Sequence, residues 1–510
     1  MARPSPFAVA LRALLFLSPL AQLRAQSANP DCSCPATFDW LATTFAANDA
    51  GYPAVVEARG EAAYAKTRDG LAGRAASATT DAECDEVLRD YLAWFRSGHV
   101  GIYRQGGGEE QDGDGKVVEP TADELVTRFA QAHRCPVDTA ALRARLAADP
   151  DASPYEGFYE SWVYEVAVVR ADTAGRERYL GVITGHGSDW WQPGQVKFAA
   201  YPNRDAPDGT AGFIRYQDHA AHPLSGVELI GGHLDLQPEA LYTRTYPEGE
   251  VDSAAAIYRA DRDAAEPVYR RLSPSTTYLR IPDFDVSQKA TIDSVVAVHH
   301  GELTATPNLI IDIRGNGGGA DASYARLLDL LYTGHMRQVS VELRSTPLKN
   351  ARNEAFIKDP DMPADVKEWA RDMAARLAAT DAEWVQMYDE RVVSIERDTV
   401  YPQPAHVAII TDEANGSTAE QFLLDARQSL KVKTFGARTA GVLDVSNMNY
   451  VTSPCGEHQL AYAVSRSFRV PAMPIDDYGV APDFYLDAGL PRWRWVGYVR
   501  EVLESESRGG

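Results

Sequence analysis

Ser417 occupies a position that suits a nucleophile. Residues 407–410 form an apolar run typical of a buried strand, a polar turn follows, and Ser417 begins a helical pattern. A side chain at a helix start lies beside unpaired backbone N–H groups and the positive end of the helix dipole. These groups favour a hydroxyl whose carbonyl adduct becomes an oxyanion. The alternative is structural, because Ser417-Thr418-Ala419-Glu420 also matches a capping box.

A glycine-rich turn is the second candidate for chemistry. Four of the five residues at 315–319 are glycine, and they follow the predicted buried strand at 309–313. Glycine lets the backbone turn sharply and expose its N–H groups, which suits the stabilisation of a developing negative charge. A tight turn accounts for one or two glycines, but not for four. Gly315 to Ala320 also fits the dinucleotide-binding fingerprint, with Glu342 near the expected acidic position, so a nicotinamide-dependent enzyme is an alternative.

A general base could come from His99. This residue lies in a turn just past Gly98, which ends a predicted helix. A packed or surface role is the default for one of eleven histidines. On composition alone His299, His300 and His458 are rival bases, so the residue types by themselves leave the choice open.

The composition predicts an exported protein of several domains. The chain has 510 residues, enough for two or three domains, and 50 Lys+Arg against 72 Asp+Glu give a net charge of −22. Nucleic acid and anionic membrane surfaces would repel such a chain, so neither is expected as a partner. Residues 1–25 combine basic positions, an apolar stretch and a small residue at the end, as a secretory signal peptide does. No later stretch is apolar enough to span a membrane, so we expect a periplasmic or secreted protein.

The cysteines are consistent with export. They are Cys32, Cys34, Cys84, Cys135 and Cys455. An oxidising compartment permits disulfides among the first four, with the pairing undetermined. A zinc site is not expected, because Cys32 and Cys34 are too close for the usual ligand spacing and no paired histidines follow.

Periodicity predicts three folded regions. Residues 26–150 are mainly helical, and this helical domain contributes His99. Residues 151–265 alternate short β-branched and aromatic runs with turns, which predicts a small antiparallel β domain. Residues 270–495 alternate apolar strands with helices, which predicts an α/β core with a sheet covered on both faces. Residues 496–510 are predicted as a C-terminal tail.

Particular elements can be predicted within these regions. A capping box is predicted at Thr80 to Glu83. The predicted strands of the α/β core include 278–281, 309–313, 339–343 and 407–410, and its predicted helices include 322–332 and a long insert from about 363 to 389.

Four segments together resemble the tail-specific protease, or C-terminal processing peptidase, family, which includes the core of the tricorn protease. In the family's order they are Ile311–Gly319, Gly416–Glu420, Phe435–Gly441 and Tyr478–Asp483. The resemblance covers roughly the last half of the chain. It implies a crotonase-like α/β core and hydrolysis of peptide bonds by a serine nucleophile.

The resemblance also bears on the base. One branch of the family uses a lysine just after the Thr-Ala-Gly block, where this sequence has Val442. Lys431 and Lys433 stand before that block and do not match. The tricorn-like branch instead uses a histidine from an N-terminal segment, which corresponds to His99, and a carboxylate, which corresponds to Asp476. The sequence departs from that branch in two ways. Gly98 directly precedes His99, where members of that branch have a serine, and Asp476 stands in place of a glutamate.

These observations predict an exported serine peptidase that acts on a protein or peptide through an acyl-enzyme, with no metal or cofactor. Its site residues are the nucleophile Ser417, the base His99, the orienting Asp476 and the oxyanion-hole donors Gly318, Gly317 and Thr418. Activity is expected to fall as a histidine is protonated, at about pH 6.5 for an unperturbed ring. The alternative is an inactive family member that binds a hydrophobic ligand or peptide. The sequence does not predict the oligomeric state.

Overall fold

The computed structural model describes residues 32–105, 127, 129 and 132–509, apart from 150, 163, 187–190, 204–205, 207–208, 217–218, 250, 361–363 and 488. The predicted signal peptide at 1–25 lies outside these described residues. No helix in the described part of the chain is long and apolar enough to cross a membrane.

The chain divides into two compact units. The first contains the described residues of Met1–Glu110, Ala264–Gly489 and Val496–Gly510, and the second contains those of Gln111–Asp263 and Leu490–Trp495. The region 26–150, predicted as one helical domain, therefore contributes residues to both units.

The helices are α1 (Cys34–Asn48), α2 (Tyr52–Arg59), α3 (Glu61–Ser77), α4 (Asp81–Ala93), α5 (Thr139–Ala148), α6 (Ser253–Arg262), α7 (Lys289–Val298), α8 (His300–Leu303), α9 (Asp321–Leu331), α10 (Pro347–Lys358), α11 (Ala364–Ala378), α12 (Thr418–Ala426) and α13 (Trp495–Gly509). The strands are β1 (Val100–Arg104), β2 (Gly157–Ser161), β3 (Tyr164–Arg170), β4 (Tyr179–His186), β5 (Val196–Ala200), β6 (Gly212–Arg215), β7 (Ala221–Pro223), β8 (Gly226–Ile230), β9 (His233–Gln237), β10 (Ala240–Tyr246), β11 (Val268–Ser273), β12 (Thr276–Arg280), β13 (Asn308–Asp312), β14 (Met336–Val339), β15 (Val341–Arg344), β16 (Trp384–Gln386), β17 (Val392–Ile395), β18 (His406–Thr411), β19 (Val432–Gly436), β20 (Val445–Thr452), β21 (His458–Ser467) and β22 (Phe484–Tyr485).

A six-stranded sheet in the order β11-β12-β13-β18-β19-β22 carries the main core of the first unit. Strands β12 to β22 in this order run parallel, and β11 is antiparallel to β12. Every residue of β13 is buried, as expected for a parallel strand covered on both faces. Side chains of α7, α9 and α12 pack on the sheet in one hydrophobic cluster. The unit is thus a mixed α/β fold, as the sequence predicts.

The N-terminal helices of the first unit pack with a second, five-stranded sheet. Its strands follow the order β1-β21-β15-β16, with β20 also paired to β21. Side chains of α1, α3 and α4 share one buried cluster with residues of β15 and β21. The predicted capping box is confirmed, since Thr80 and Glu83 exchange both hydrogen bonds at the start of α4. A disulfide between Cys34 and Cys84 joins α1 to α4, which agrees with the disulfides permitted among the first four cysteines.

The second unit contains a nine-stranded antiparallel sheet in the order β7-β6-β5-β4-β3-β2-β10-β9-β8. Its core is aromatic and β-branched, with Trp191, Tyr159 and Tyr242 almost fully buried. The strands predicted from alternating runs in this region are therefore present.

One predicted strand of the first unit differs from the structure. Residues 339–343 were expected to form one strand, but β14 ends at Val339 and β15 begins at Val341. The break is at Ser340, whose N–H donates to the Arg391 carbonyl and whose carbonyl accepts from Phe468 N–H. The backbone of Ser340 thus passes between two partners, so β14 pairs with β17 and β15 with β21.

The C-terminal half of the insert and the C-terminal tail also differ. The helix of the insert ends at Ala378, and β16 then pairs with β15. Residues 496–509, predicted as a tail, lie in helix α13. An amphipathic pattern explains this helix, since Trp495, Val499 and Leu503 are buried one turn apart.

Candidate active site

The serine turn and the glycine turn meet at one edge of the six-stranded sheet. Strands β13 and β18 are parallel neighbours, with Asp312 paired to Ile410, so both chains leave the sheet at the same edge. The glycine turn follows β13 and the serine turn follows β18. Open α/β sheets bind ligands outside this edge, which makes it the natural place for a site.

Two buried asparagines hold the turns together. Asn415 Nδ2 donates to the carbonyls of Ile313 at 2.5 Å and Asn316 at 3.0 Å. Asn316 Oδ1 accepts from Gly318 N–H at 2.9 Å. Both asparagines are fully buried, so these bonds are shielded from water. The position of the glycine turn is therefore fixed by the serine turn.

Ser417 has the backbone of a sharp turn rather than of an ordinary helix cap. Its φ is 54° and its ψ is −123°, and its side chain makes no capping hydrogen bond. The capping-box interpretation of Ser417 and Glu420 is therefore wrong. A positive φ at a residue other than glycine is uncommon and often occurs at functional sites. The hydroxyl is left available for another partner.

That partner is His99, the base predicted from the sequence. His99 Nε2 lies 3.0 Å from Ser417 Oγ, within hydrogen-bond distance. The two residues are 318 positions apart in the chain. Their approach depends on β1, which starts just after His99 and pairs with β21 of the five-stranded sheet. The structure thus brings Ser417, the candidate nucleophile, together with His99, the candidate base.

The turn that carries His99 is held by Arg96. Its Nε donates to the Gly98 carbonyl at 2.9 Å and its Nη2 to the His99 carbonyl at 2.9 Å. The same guanidinium makes a two-pronged ion pair with Asp49, at 2.7 and 2.5 Å. Asp49 is fully buried and also accepts from the N–H of Ala463 on β21. Sequence reasoning missed Arg96, although an arginine three residues before a candidate base was a usable signal.

Replacing Arg96 by alanine is expected to destabilise the first unit by about 3–5 kcal/mol, because the buried Asp49 carboxylate would lose its charge partner. Arg74→Ala is the matched control, since Arg74 pairs with Asp90 on the surface and should cost less than about 1 kcal/mol. Urea unfolding followed by tryptophan fluorescence measures both. Equal losses in the two variants would contradict the role given to the buried pair.

Burial controls the electrostatics of the His99 ring. It lowers the pKa of His99 to about 4, an effect that a backbone interaction with Val445 opposes and the charge of Arg96 reinforces. A neutral ring at physiological pH can accept a proton from a hydroxyl. The Nδ1 atom is buried and makes no hydrogen bond of ordinary geometry with any described residue.

Asp476 does not bind His99. Its carboxylate accepts instead from three successive backbone N–H groups, those of Leu443 at 2.5 Å, Asp444 at 2.6 Å and Val445 at 3.1 Å. Burial raises the pKa of Asp476, and these hydrogen bonds oppose the shift. Asp476 therefore shapes the backbone beside His99 and reaches the ring only through Val445.

Glu420 likewise binds backbone N–H groups, those of the residues just before Leu443. Its carboxylate accepts from the N–H groups of Gly441 at 2.7 Å and Val442 at 2.8 Å, and from the Thr439 hydroxyl. Val442 in turn accepts from Ser417 N–H at 3.1 Å through its carbonyl. Two carboxylates thus bind five consecutive N–H groups, at 441–445, between Ser417 and His99. The spacing to Ser417 suggested a cap for Glu420 and gave no sign of this contact.

Val442 explains the glycine before His99. A Cβ added at Gly98 would lie 2.2 Å from Val442 Cγ1, so no larger residue fits while valine occupies that place. The lysines are elsewhere, since Lys431 Nζ donates to the Tyr401 carbonyl and Lys433 lies over the Phe484 ring.

The rival histidines are also engaged away from Ser417. His458 binds Asp85 at 2.9 Å, His299 stacks on Tyr269, and His300 meets the Tyr401 ring edge-on.

The glycine turn lies against Ser417, and only some of its N–H groups have hydrogen-bond acceptors among the described residues. A Cβ added at Gly318 would lie 2.8 Å from Ser417 Cβ and 2.9 Å from Thr418 N. Gly318 N–H itself is bound by Asn316, so it is already engaged. Within the described part of the chain, no acceptor is found for the N–H groups of Gly317, Gly319 or Thr418. Of the three predicted oxyanion donors, Gly317 and Thr418 are thus available.

A cleft of about 390 Å³ opens over Ser417 and His99. One wall is apolar and comes largely from the insert and the residues that follow it, with Trp369, Met387, Tyr388 and Val393. Strand β20 contributes another side with Met448 and Tyr450. Sequence reasoning did not identify these wall residues, because an aromatic residue in a helical pattern is usually read as core.

The match to a known protein family covers the segment that contains the glycine turn and the serine turn. The model of Peptidase family S41 matches residues 275–486. No curated protein matches the chain by sequence.

Solved structures also align with most of the chain, at low sequence identity. Mature CPAF complexed with lactacystin is 13% identical with a TM-score of 0.49, covering 93% of this chain and 98% of its own. The photosystem II D1 C-terminal processing protease is 13% identical with a TM-score of 0.35, covering 91% and 95%. The tricorn protease is 14% identical with a TM-score of 0.40, covering 93% of this chain and 36% of its own.

Proposed function

We propose that this chain is a serine-type peptidase of family S41, whose model matches residues 275–486, and that Ser417 forms the acyl-enzyme while His99 acts as the general base. One observation carries the assignment of roles, namely the 3.0 Å contact between His99 Nε2 and Ser417 Oγ. The Ser417 hydroxyl does not cap helix α12, so it is available for the contact with His99.

The catalytic cycle has two halves. Ser417 Oγ attacks the carbonyl of the scissile bond while neutral His99 takes the hydroxyl proton, and the protonated ring then gives this proton to the leaving amine. Water repeats the sequence on the acyl-enzyme, and a carboxylic acid leaves. Asp476 acts as a positioning residue, because it fixes the 443–445 backbone beside the ring rather than binding the ring.

The oxyanion is stabilised by backbone donors of both turns. Thr418 N–H supplies one hydrogen bond from the start of α12, where the helix dipole also favours negative charge. An N–H of the glycine turn, from Gly317 or from Gly319, supplies the second. Gly318 keeps its N–H on Asn316 and contributes by its lack of a side chain.

The cleft favours an apolar side chain next to the scissile bond. Trp369, Met387, Tyr388 and Val393 present apolar surface there, and transfer of an apolar side chain from water to such a wall is favourable. Among the described strands, β20 pairs with β21 alone, so its other edge can add an extended peptide as a further strand. We therefore propose a protein or peptide substrate with a large apolar residue at the cleavage point.

Export is part of the proposal. The disulfide between Cys34 and Cys84 supports it, because structural disulfides persist in oxidising compartments such as the periplasm or the extracellular space. The signal-like composition of residues 1–25 gives independent support.

The experiment that tests the serine is labelling of the mature protein with a fluorophosphonate probe. Wild type is expected to be labelled once per chain, Ser417→Ala not at all, and His99→Ala far more slowly, because the hydroxyl would lose its base. A folded wild type that takes up no label contradicts the proposal and favours the binding-protein alternative.

The pH profile provides a second test. kcat/KM is expected to hold down to about pH 5 and then to fall with an apparent pKa near 4, because a protonated His99 cannot accept the Ser417 proton. The folded ring has a lower pKa than the value of 6.5 for an unfolded one, so stability is also lost as pH falls from 6.5 towards 4. Circular dichroism at each pH separates the two losses. A fall in activity centred at about 6.5 would show that the ring is solvated instead.

A further inference from the structure

Cys32 and Cys455 are distant in sequence but lie next to each other in the structure. The Sγ atoms of Cys32 and Cys455 and a Glu457 carboxylate oxygen all lie within 4.8 Å of one another. Neither cysteine is part of the disulfide between Cys34 and Cys84. Spacing along the chain gives no hint of this pair, because one member lies at the start of the helical segment and the other in the turn between β20 and β21.

We propose that Cys32 and Cys455 form a second disulfide, which ties the start of the helical segment to the β20–β21 turn. A disulfide requires the two side chains to approach one another, and these sulfur atoms already lie within 4.8 Å. The other disulfide starts two residues further on, at Cys34, so the oxidant that makes one bond is available to make the other.

The chemistry is thiol–disulfide exchange with an external disulfide, either a protein or a small molecule. The Cys455 thiolate attacks one sulfur of that disulfide and expels the first thiolate. The Cys32 sulfur, after losing its proton, attacks Cys455 Sγ of the mixed disulfide and expels the second. The two cysteines lose two electrons and two protons, and the external disulfide is reduced to two thiols.

The local electrostatics agree with this order of attack. A hydrogen bond with Cys455 is the main cause that raises the pKa of Cys32 to about 12. Burial raises the pKa of Cys455, but hydrogen bonds from Cys32 and the backbone of Glu457 outweigh it, so the net shift is downward. Of the two thiols, Cys455 is therefore the one that loses its proton more readily.

A metal ion is the competing occupant of this cluster, and the surroundings disfavour it. Glu457, the third potential ligand, already faces the Arg104 guanidinium at 3.4 Å. That cation would repel a divalent ion at the same carboxylate. Structural zinc sites also use four protein ligands, and the cluster offers three among the described residues.

The bond would fasten the segment that delivers His99. Strand β1 follows His99 and pairs with β21 from Val100 opposite Tyr462 to Arg104 opposite His458. The Cys455 turn lies at the Arg104 end of this ladder, and the Cys34–Cys84 bond holds the helix that leads to His99. Two covalent links would thus secure the base-bearing segment to the sheet that lines the cleft.

The test is a thiol count on the full chain matured in an oxidising compartment and denatured without reductant. Five cysteines with two disulfides leave one thiol, that of Cys135, whereas a reduced pair leaves three. Alkylation, proteolysis and mass spectrometry should then find one peptide pair joined through Cys32 and Cys455. Three thiols, a link from Cys32 to Cys135, or one equivalent of bound zinc would each overturn the proposal.

Serine variants supply an independent readout that does not depend on peptidase activity. Cys32→Ser and Cys455→Ser are each expected to lower Tm by about 4 °C or more, and the double variant should lower it no further. Cys135→Ser is the matched control and should leave Tm unchanged. Additive losses in the double variant would show that the two sulfurs act separately.

Discussion

Replacing His99 by alanine is expected to lower kcat/KM by about 10⁴-fold or more, because the Ser417 hydroxyl would lose the only base that contacts it within the described residues. Lys433→Ala is the control, since a lysine base is the alternative that the family resemblance offers. Lys433 lies over the Phe484 ring, so its removal should leave kcat/KM within a few-fold of wild type. An active His99→Ala together with an inactive Lys433→Ala would overturn the assignment of the base.

A second variant separates the loss of the base from strain at this position. His99 has a φ of 51°, a conformation that alanine tolerates poorly and asparagine tolerates well. His99→Asn should therefore fold as wild type does, as measured by Tm, and should lose as much activity as His99→Ala. If His99→Asn retained activity, the loss in the alanine variant would have to be conformational.

The strands and the glycine turn could be predicted from sequence because their signals are local. Continuous apolar runs at 309–313 and 407–410 mark buried parallel strands, and both lie where expected. The position of the two turns beside each other then follows from topology, because neighbouring parallel strands end at one edge. Local pattern and simple topology were enough to place Ser417 beside the glycine turn.

The approach of His99 to Ser417 has no local signal. It depends on the pairing of β1 with β21 and on the Arg96–Asp49 ion pair, both of which join distant segments. Only the family resemblance could connect the two residues before the structure was known. The contact itself is now given by geometry, at 3.0 Å.

The carboxylates show where residue spacing misleads. Glu420 stands three residues after a serine at a helix start, which is the spacing of a capping box, yet it binds the backbone N–H groups of Gly441 and Val442. Asp476 matches the orienting carboxylate of the resemblance, yet it binds the 443–445 backbone. A buried carboxylate binds whichever unpaired donors the tertiary structure brings to it, and a one-dimensional pattern does not contain that information.

Gly318→Ala is expected to lower kcat/KM by about 10²–10³-fold, the loss typical of an impaired oxyanion hole. The added methyl group would lie 2.7 Å from the Gly416 carbonyl, 2.8 Å from Ser417 Cβ and 2.9 Å from Thr418 N. Ser417 is the proposed nucleophile and Thr418 N–H is a proposed oxyanion donor, so the added methyl group would displace the groups proposed to carry out catalysis. Relief requires one of the two turns to move, and the buried Asn415 and Asn316 resist that motion.

Gly60→Ala is the matched control for backbone strain. Gly60 also has a positive φ, 88° against 108° at Gly318, but a methyl group there would meet nothing within 4 Å. Both variants should lose about 1 kcal/mol of stability from the unfavourable conformation, and Gly318→Ala should lose more because its methyl group also collides with the serine turn. Only Gly318→Ala should lose activity and react slowly with the fluorophosphonate probe. If the two variants kept equal activity, the close contact between the glycine turn and Ser417 would not matter for catalysis, and the oxyanion would have to be stabilised from elsewhere.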